Sequence, residues 1–166
     1  MNLYQPIYSR FERFCRARVY GEMEHGDLMN ETLLVAFEKF EDLKNEQAFL
    51  SFLCGISIRI LSNSNRKKKP LSGLDSHLNA ASSGADTDQR TDIGILHEAL
   101  SQLPTEQKES LILFEISGFP IKEIAEIQGV GESAVKQRLR RGRIRLAEIL
   151  LVNKDMNAEK KAHHEE

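Results

Sequence analysis

The sequence has no tryptophan, two cysteines and four prolines in 166 residues. Cys15 and Cys54 form no Cys-x-x-Cys pair and have no histidine at zinc-ligand spacing. No apolar run approaches the roughly 20 residues that span a bilayer, and the N-terminus lacks a signal-peptide pattern. We therefore expect a cytoplasmic protein that does not insert into a membrane, with both thiols reduced and at least half-buried on apolar helical faces.

The motifs of enzyme chemistry are also missing. The sequence has no metal-ligand cluster, phosphate-binding loop or nucleophile constellation. His163 and His164 stand in a charged tail, where paired histidines are seldom ligands. The sequence therefore predicts a protein that is not an enzyme and that holds no metal and no cofactor.

Helical periodicity recurs along most of the chain, and alternating runs typical of strands are few. Residues 67–92 differ, since they combine Pro70, Gly73 and Gly84 with many small polar residues and few apolar ones. We read this segment as a flexible linker. The prediction is an all-α protein with two small helical bundles, 1–66 and 93–152, followed by a frayed tail, 153–166.

The periodicity of the N-terminal bundle predicts helices over 3–19, 27–43 and 46–66. Asp27 is placed to cap the second helix, with its charge at the positive end of the helix dipole. We expect the second helix to bury a wide apolar stripe. The stripe consists of Leu28, Met29, Thr32, Leu33, Ala36, Phe37, Phe40 and Leu43.

The C-terminal bundle begins with helices predicted over 93–102 and 106–117, with a break at Pro104 and a cap at Thr105. A helix-turn-helix follows from Pro120 to Leu146. Gly129 and Gly131 supply the backbone freedom of its turn, and Ser133 can cap the second helix. This pattern is typical of a motif that enters a DNA groove.

The second helix of this motif divides into two sides. Val135, Leu139, Gly142 and Leu146 form a narrow packing stripe, flanked by Arg138, Arg143 and Arg145. Ser133, Lys136, Gln137, Arg140 and Arg141 lie on the far side, where phosphate contacts and base-edge donors are needed. No acidic residue occurs between 135 and 146, so these cations lack the spaced partners of an ordinary solvated helix.

The formal net charge is only −2, and positive charge is concentrated in two clusters, 66–69 and 136–145. Affinity for DNA grows with the number of phosphates neutralised. Two small basic patches on an acidic body therefore indicate a protein that reads DNA with help from a larger partner.

The order of these parts resembles bacterial sigma factors of the extracytoplasmic function (ECF) group. In the C-terminal bundle the resemblance rests on Leu103-Pro104, on 121–125 (IKEIA) and on 133–139 (SAVKQRL). It implies a region 4 that reads the minus-thirty-five promoter element. It also implies an anti-sigma factor as a regulatory partner.

In the N-terminal bundle, 27–32 (DLMNET) is similar to the family's region 2.2, which binds the clamp of the largest subunit of core RNA polymerase. Asp27, Asn30, Glu31 and Leu34 lie one helical turn apart, on the side opposite Met29 and Leu33. The resemblance makes these four residues the polymerase-binding candidates.

Regions 2.3 and 2.4 of the family open and read the minus-ten element, and residues 49–68 occupy the same place here. Opening DNA requires a pocket or an aromatic ring for an unstacked base and cations for the freed strand. The candidates are Lys44, Asn45, Phe52, Arg59, Asn63, Arg66 and Lys67. The chain departs from the family at Ser57-Ile58-Arg59, where Ala-Arg-Asn is usual, and at Asn63, where Asp is usual.

These observations predict an alternative sigma factor that binds core RNA polymerase and promoter DNA. One alternative is a stand-alone helix-turn-helix regulator, which would bind its duplex tightly without polymerase. Another is a protein-binding decoy whose N-terminal bundle no longer opens DNA.

Overall fold

The computed structural model describes residues 3–20, 23–68 and 92–162. Every regular element in these ranges is helical, which confirms the all-α prediction. Residues 69–91 of the predicted linker, and His163 and His164, lie outside the described part of the chain.

The N-terminal lobe consists of α1 (Tyr8–Val19), α2 (His25–Glu38) and α3 (Phe49–Lys68). A 3-10 turn, Gln5–Ile7, precedes α1 and holds a proline in its first turn, so α1 starts later than predicted. A second 3-10 turn, Phe40–Asp42, follows α2, which therefore ends before the predicted position 43.

The predicted capping role of Asp27 is wrong. Glu24 occupies the N-cap position of α2, and its side chain makes no capping bond. Asp27 lies in the first turn instead, where its carboxylate still favours the positive end of the helix. A capping bond is found instead at the 3-10 turn Glu46–Ala48, which leads into α3. There Oδ1 of Asn45 accepts a 2.9 Å bond from the amide of Ala48.

The C-terminal lobe consists of α4 (Asp92–Ser101), α5 (Thr105–Leu111), α6 (Ile121–Gln128) and α7 (Glu132–Ala162). Pro104 is the N-cap residue of α5, so Thr105 is the first helical residue and not the predicted cap. A π-helical turn, Ile112–Ile116, continues α5.

The turn between α6 and α7 depends on one glycine rather than two. Gly129 has a left-handed backbone with φ of 65°, whereas Gly131 has no positive φ. The carbonyl of Gly131 accepts bonds from the amides of Ala134 and Val135, which places Gly131 at the N-cap and Ser133 inside the first turn. The predicted cap at Ser133 is therefore wrong, and α7 continues through 153–162, where we expected a frayed tail.

The two lobes pack on each other and share one hydrophobic core. Phe11, Phe14 and Leu28 of the N-terminal lobe belong to the same cluster as Ile112 and Ile124 of the C-terminal lobe. The main contacts between the lobes join α1 to the π-helical turn and α3 to α6.

The apolar stripe predicted on α2 is correct at its centre and wrong at its end. Leu28, Met29 and Ala36 are buried, as is the hydroxyl-bearing Thr32. Phe37, in contrast, is 83% exposed, and Phe40 beyond the helix end is 48% exposed.

Candidate nucleic-acid and partner interfaces

The far side of α7 is a continuous exposed surface, which we call the basic face. All five residues predicted there, Ser133, Lys136, Gln137, Arg140 and Arg141, are exposed. Among the described residues, Lys136, Arg140 and Arg141 take part in no ion pair. Their donors are therefore available to phosphates and base edges.

The opposite side of α7 packs tightly against the lobe. Val135 and Leu139 are buried, and a Cβ added at Gly142 would lie 3.1 Å from Cδ1 of Leu111 and 3.4 Å from Cβ of Gln107. The absence of a side chain at Gly142 lets α7 approach α5 closely. This contact fixes which side of α7 faces outward.

Two of the flanking arginines anchor α7. Arg143 donates to Oε1 of Glu115 from Nε at 3.0 Å and from Nη2 at 2.7 Å, and its guanidinium lies over the ring of Phe114. Arg138 donates to Oε1 of Gln128 at 2.9 Å. Neighbouring arginines of α7 thus either bond to other helices or remain exposed. The sequence pattern separated these arginines only into flanking and far-side positions and did not predict the bonds.

Gln128 joins three helices at the end of α6. Its Oε1 accepts bonds from Arg138 of α7 and from the hydroxyl of Ser110 of α5 at 3.1 Å, and its Nε2 donates to the carbonyl of Glu106 at 3.4 Å. A side chain bonded to both neighbouring helices restricts the angle at which α7 leaves the turn. Sequence reasoning missed this residue, because its partners are 18 and 22 residues away on α5.

A second exposed surface, the α2 face, contains the predicted partner-binding residues. Asp27, Asn30 and Glu31 are exposed, and Leu34 is 64% exposed. Phe37 lies next to them and is more exposed still. A helical wheel at 100° per residue places Phe37 about 80° from Asp27 and about 130° from the centre of the buried side of α2. The sequence pattern could therefore have shown that Phe37 lies on the exposed side.

A surface that combines carboxylates with exposed leucine and phenylalanine is unusual for a helix facing only water. Large apolar side chains surrounded by polar ones are typical of protein interfaces, where they supply most of the binding energy. The α2 face therefore has the composition of a protein-binding site with preference for a basic partner.

The remaining candidates lie on α3 and the loop before it. Lys44, Asn45, Arg59 and Asn63 are exposed, and Phe52 is half-buried against the core. The backbone of Arg66 and Lys67 belongs to α3, while their side chains lie outside the described part of the molecule. Asn45 also has the structural task of capping the turn before α3.

Ser57, the first residue of the segment that departs from the family pattern, is fully buried. It donates to the carbonyl of Leu53 at 2.9 Å, so the hydroxyl of Thr32, 3.0 Å away, donates to Ser57. The serine therefore bonds α2 to α3 inside the core. Arg59, two residues later, is exposed.

The thiols of Cys15 and Cys54 are buried and unpaired, as predicted. Burial raises the pKa of Cys15 to about 12 and the pKa of Cys54 well above its usual value. No group of three metal-ligating side chains occurs among the residues that the structure describes. No helix in the described ranges combines the length and the apolarity needed to cross a bilayer.

Residues 93–146 match the family described as Sigma-70, region 4. The chain is 29% identical over 147 residues to RNA polymerase sigma factor SigV of Bacillus subtilis, with 89% of this chain and 87% of that protein covered. It is 26% identical over 150 residues to ECF RNA polymerase sigma factor SigM of Mycobacterium tuberculosis, with 89% of this chain and 75% of that protein covered.

Two solved structures share the fold. The sigma factor RpoE, solved with the anti-sigma factor NepR from Bartonella quintana, superposes with a TM-score of 0.70 at 23% identity, over 91% of this chain and 98% of that one. CnrH, solved with the cytosolic domain of CnrY, gives a TM-score of 0.66 at 18% identity, over 90% and 86% of the two chains.

Proposed function

We infer that this chain, which belongs to the ECF group of sigma factors, directs core RNA polymerase to specific promoters and initiates transcription there. Sigma factors are initiation factors without catalytic chemistry of their own. The observation that carries the inference is the exposed, unpaired basic face of α7 within the segment that matches region 4. We expect the protein in the cytoplasm, because core RNA polymerase works there.

The two lobes divide the work. We assign polymerase docking and the minus-ten element to the lobe of 1–66, and the minus-thirty-five element to the helix-turn-helix lobe of 93–152. The α2 face supports the first assignment through its acidic and apolar composition. The basic face supports the second, because Gln137 and Arg140 provide donors that fit base edges in the major groove.

For the minus-ten element we propose Lys44, Asn45, Phe52, Arg59 and Asn63, with Arg66 and Lys67 following on the same helix. The exposed side chains of α3 support this assignment, since Arg59 and Asn63 lie one turn apart. Ser57 is buried, so packing in the core explains why this position departs from the family pattern. This departure alone does not prevent the chain from opening DNA.

An anti-sigma factor is a further proposed partner. RpoE of Bartonella quintana is solved in complex with the anti-sigma factor NepR, and CnrH is solved in complex with the cytosolic domain of CnrY. The α2 face offers a binding surface for such a regulator, and a regulator bound there would compete with polymerase.

The inference is tested by transcription in vitro with purified core enzyme and a genomic template library. We expect transcripts whose start sites share a spaced pair of upstream elements. The variant with Asp27→Ala and Glu31→Ala should lose co-purification with core enzyme while keeping its helical content, because both residues are exposed. Binding that survives this double change would place the polymerase contact elsewhere.

The stand-alone regulator is separated from a sigma factor by the same reagents. A sigma factor should bind promoter DNA weakly until core enzyme is added. Tight and specific binding of a palindromic duplex by the free chain would favour the regulator. Co-purification with core enzyme without any promoter-specific transcript would favour the decoy.

A further inference from the structure

The turn between α6 and α7 offers little resistance to a change in the angle between the two helices. Gly129 has the left-handed backbone of the turn, but Gly131 has neither a positive φ nor a neighbour within 4 Å of the position that a Cβ would take. Glycine at 131 is therefore required by neither backbone nor space, and it adds freedom to the turn. The angle at which α7 leaves the turn must be fixed by contacts from outside it.

Gln128 is the last residue of α6, directly before Gly129, and its side chain supplies such a contact. Its Oε1 accepts a bond from Nη1 of Arg138 at 2.9 Å. The same oxygen lies 3.1 Å from the hydroxyl of Ser110, which divides its one hydrogen between Gln128 and the carbonyl of Glu106. One half-buried amide thus connects the first two turns of α7 to α5, and partial burial protects these bonds from competing water.

Arg138 lies on one edge of the buried side of α7. At 100° per residue it is about 70° from the centre of that side, and Arg143 is about 70° away on the other edge. Arg143 bonds to Glu115, but both of these side chains are about half exposed, so water weakens that pair. The bond between Arg138 and Gln128 is better shielded, and it lies beside the predicted base-reading residues of α7.

Base recognition is more sensitive to the orientation of α7 than phosphate binding is. A bidentate contact, such as the one predicted for Arg140, needs two aligned bonds to acceptors on one base edge. Contacts to phosphates carry no direct sequence information, and long side chains can follow small movements of the helix to keep them. A helix that is free to tilt or rotate would therefore lose discrimination between base pairs before it lost affinity for the duplex.

We propose that Gln128 and Arg138 are positioning residues, which hold the first turns of α7 at the angle that discrimination between minus-thirty-five base pairs requires. Neither residue needs to touch a base for this effect. The proposal rests on the proposed function for its consequence at DNA, whereas the anchoring of α7 rests on the bonds themselves.

The ratio of affinities for matched and mismatched promoters is the direct measurement. Holoenzyme with the parent chain or a variant is titrated with a promoter found by transcription and with duplexes that carry one substituted minus-thirty-five base pair. The parent should prefer the matched duplex about 5- to 150-fold at each base pair read by a bidentate contact. Gln128→Leu should reduce that preference roughly three- to tenfold, because it removes every bond of the amide while the side chain keeps a similar size.

Three further variants separate positioning from other roles. Gln128→Glu should keep a ratio near that of the parent, because a carboxylate still accepts from Arg138 and Ser110. Arg138→Leu should lower the ratio as Gln128→Leu does, whereas the loss of a phosphate contact would weaken all duplexes alike. Arg138→Leu is also the second variant if Gln128→Leu does not fold. Glu126→Gln, at an exposed position of α6, is the control and should leave the ratio unchanged.

Amide hydrogen exchange tests the anchoring of α7 without DNA. In Gln128→Leu and Arg138→Leu, the amides of 134–139 should exchange on the order of tenfold faster, as expected for one lost hydrogen bond to a charged group. The amides of 143–150 should keep the parent rate. A general loss of stability would instead raise the exchange rate in both segments.

An unchanged affinity ratio or unchanged exchange in both leucine variants would overturn the proposal, as would an equal loss of affinity for every duplex. Failure of the proposed function gives a different result. If the parent holoenzyme yields no promoter-specific transcript, the proposed function fails. Faster exchange in both leucine variants then keeps the anchoring of α7, whereas unchanged exchange removes the anchoring as well.

Discussion

The α2 face and the basic face of α7 differ in both charge and apolar content. The α2 face places Leu34 and Phe37 beside the carboxylates of Asp27 and Glu31. The basic face consists of cations and polar donors, while Val135 and Leu139 of the same helix are buried and Ile144, one turn beyond Arg140, is 52% exposed. A surface that gains energy by excluding water suits a protein partner, whereas unpaired cations suit a polyanion. The comparison predicts that affinity at the α2 face changes little with salt concentration, whereas affinity at the basic face falls as salt increases.

The largest expected effect is at the α2 face. Replacing Leu34 and Phe37 together by alanine should weaken binding to core RNA polymerase by roughly 2–4 kcal/mol, as expected for apolar residues at the centre of an interface. The thermal midpoint should stay near that of the parent, because both side chains are exposed. A fluorescence titration with labelled core enzyme measures the affinity, and undiminished affinity would remove this face from the polymerase contact.

The buried side of α7 determines which of its residues face outward as the basic face. Gly142→Val should destabilise the protein by roughly 1–3 kcal/mol, because its side chain would collide with Leu111 and Gln107. Gly142→Ala should have a net effect near zero, since about 1 kcal/mol of helix propensity offsets a smaller collision. Thermal unfolding of both variants checks this order, and equal stability would show that α7 does not need its close approach to α5.

On the exposed side of α7, Arg140→Ala should weaken recognition of the minus-thirty-five duplex by roughly 1–3 kcal/mol if the guanidinium makes a bidentate base contact. Arg143→Ala is the matched control, because Arg143 is already bonded to Glu115 and should affect DNA affinity less. Quantitative binding of promoter duplexes by the holoenzyme compares the two. A larger loss for the control would reverse the assignment of the two arginines.

The smallest effect concerns salt. Lys136→Ala should reduce the slope of log affinity against log salt by about 0.9 if the ammonium neutralises one phosphate. Affinity for core enzyme should change little with the same substitution. An unchanged slope in DNA titrations at several salt concentrations would mean that Lys136 does not contact the backbone.

Local patterns in the sequence predicted the helices, the helix-turn-helix and the inward side of α7, because these follow from periodicity over a few turns. The caps at Asp27, Thr105 and Ser133 were wrong, since helix ends depend on one or two residues of backbone geometry. The task of Gln128 depends on partners that are distant in the sequence. Periodicity does not encode such contacts.

Where α1 contacts the end of the π-helical turn, Arg10 donates to a main-chain oxygen, that of Ser117, and the next residue, Gly118, has a left-handed backbone with φ of 70°. A carbonyl is present whichever amino acid occupies position 117, so a substitution at that position keeps the hydrogen-bond acceptor. Gly118 is less replaceable, because a side chain there would strain the turn that aims the oxygen at Arg10. In related chains that keep this contact, an arginine at position 10 should therefore vary together with the glycine at 118 rather than with the serine before it.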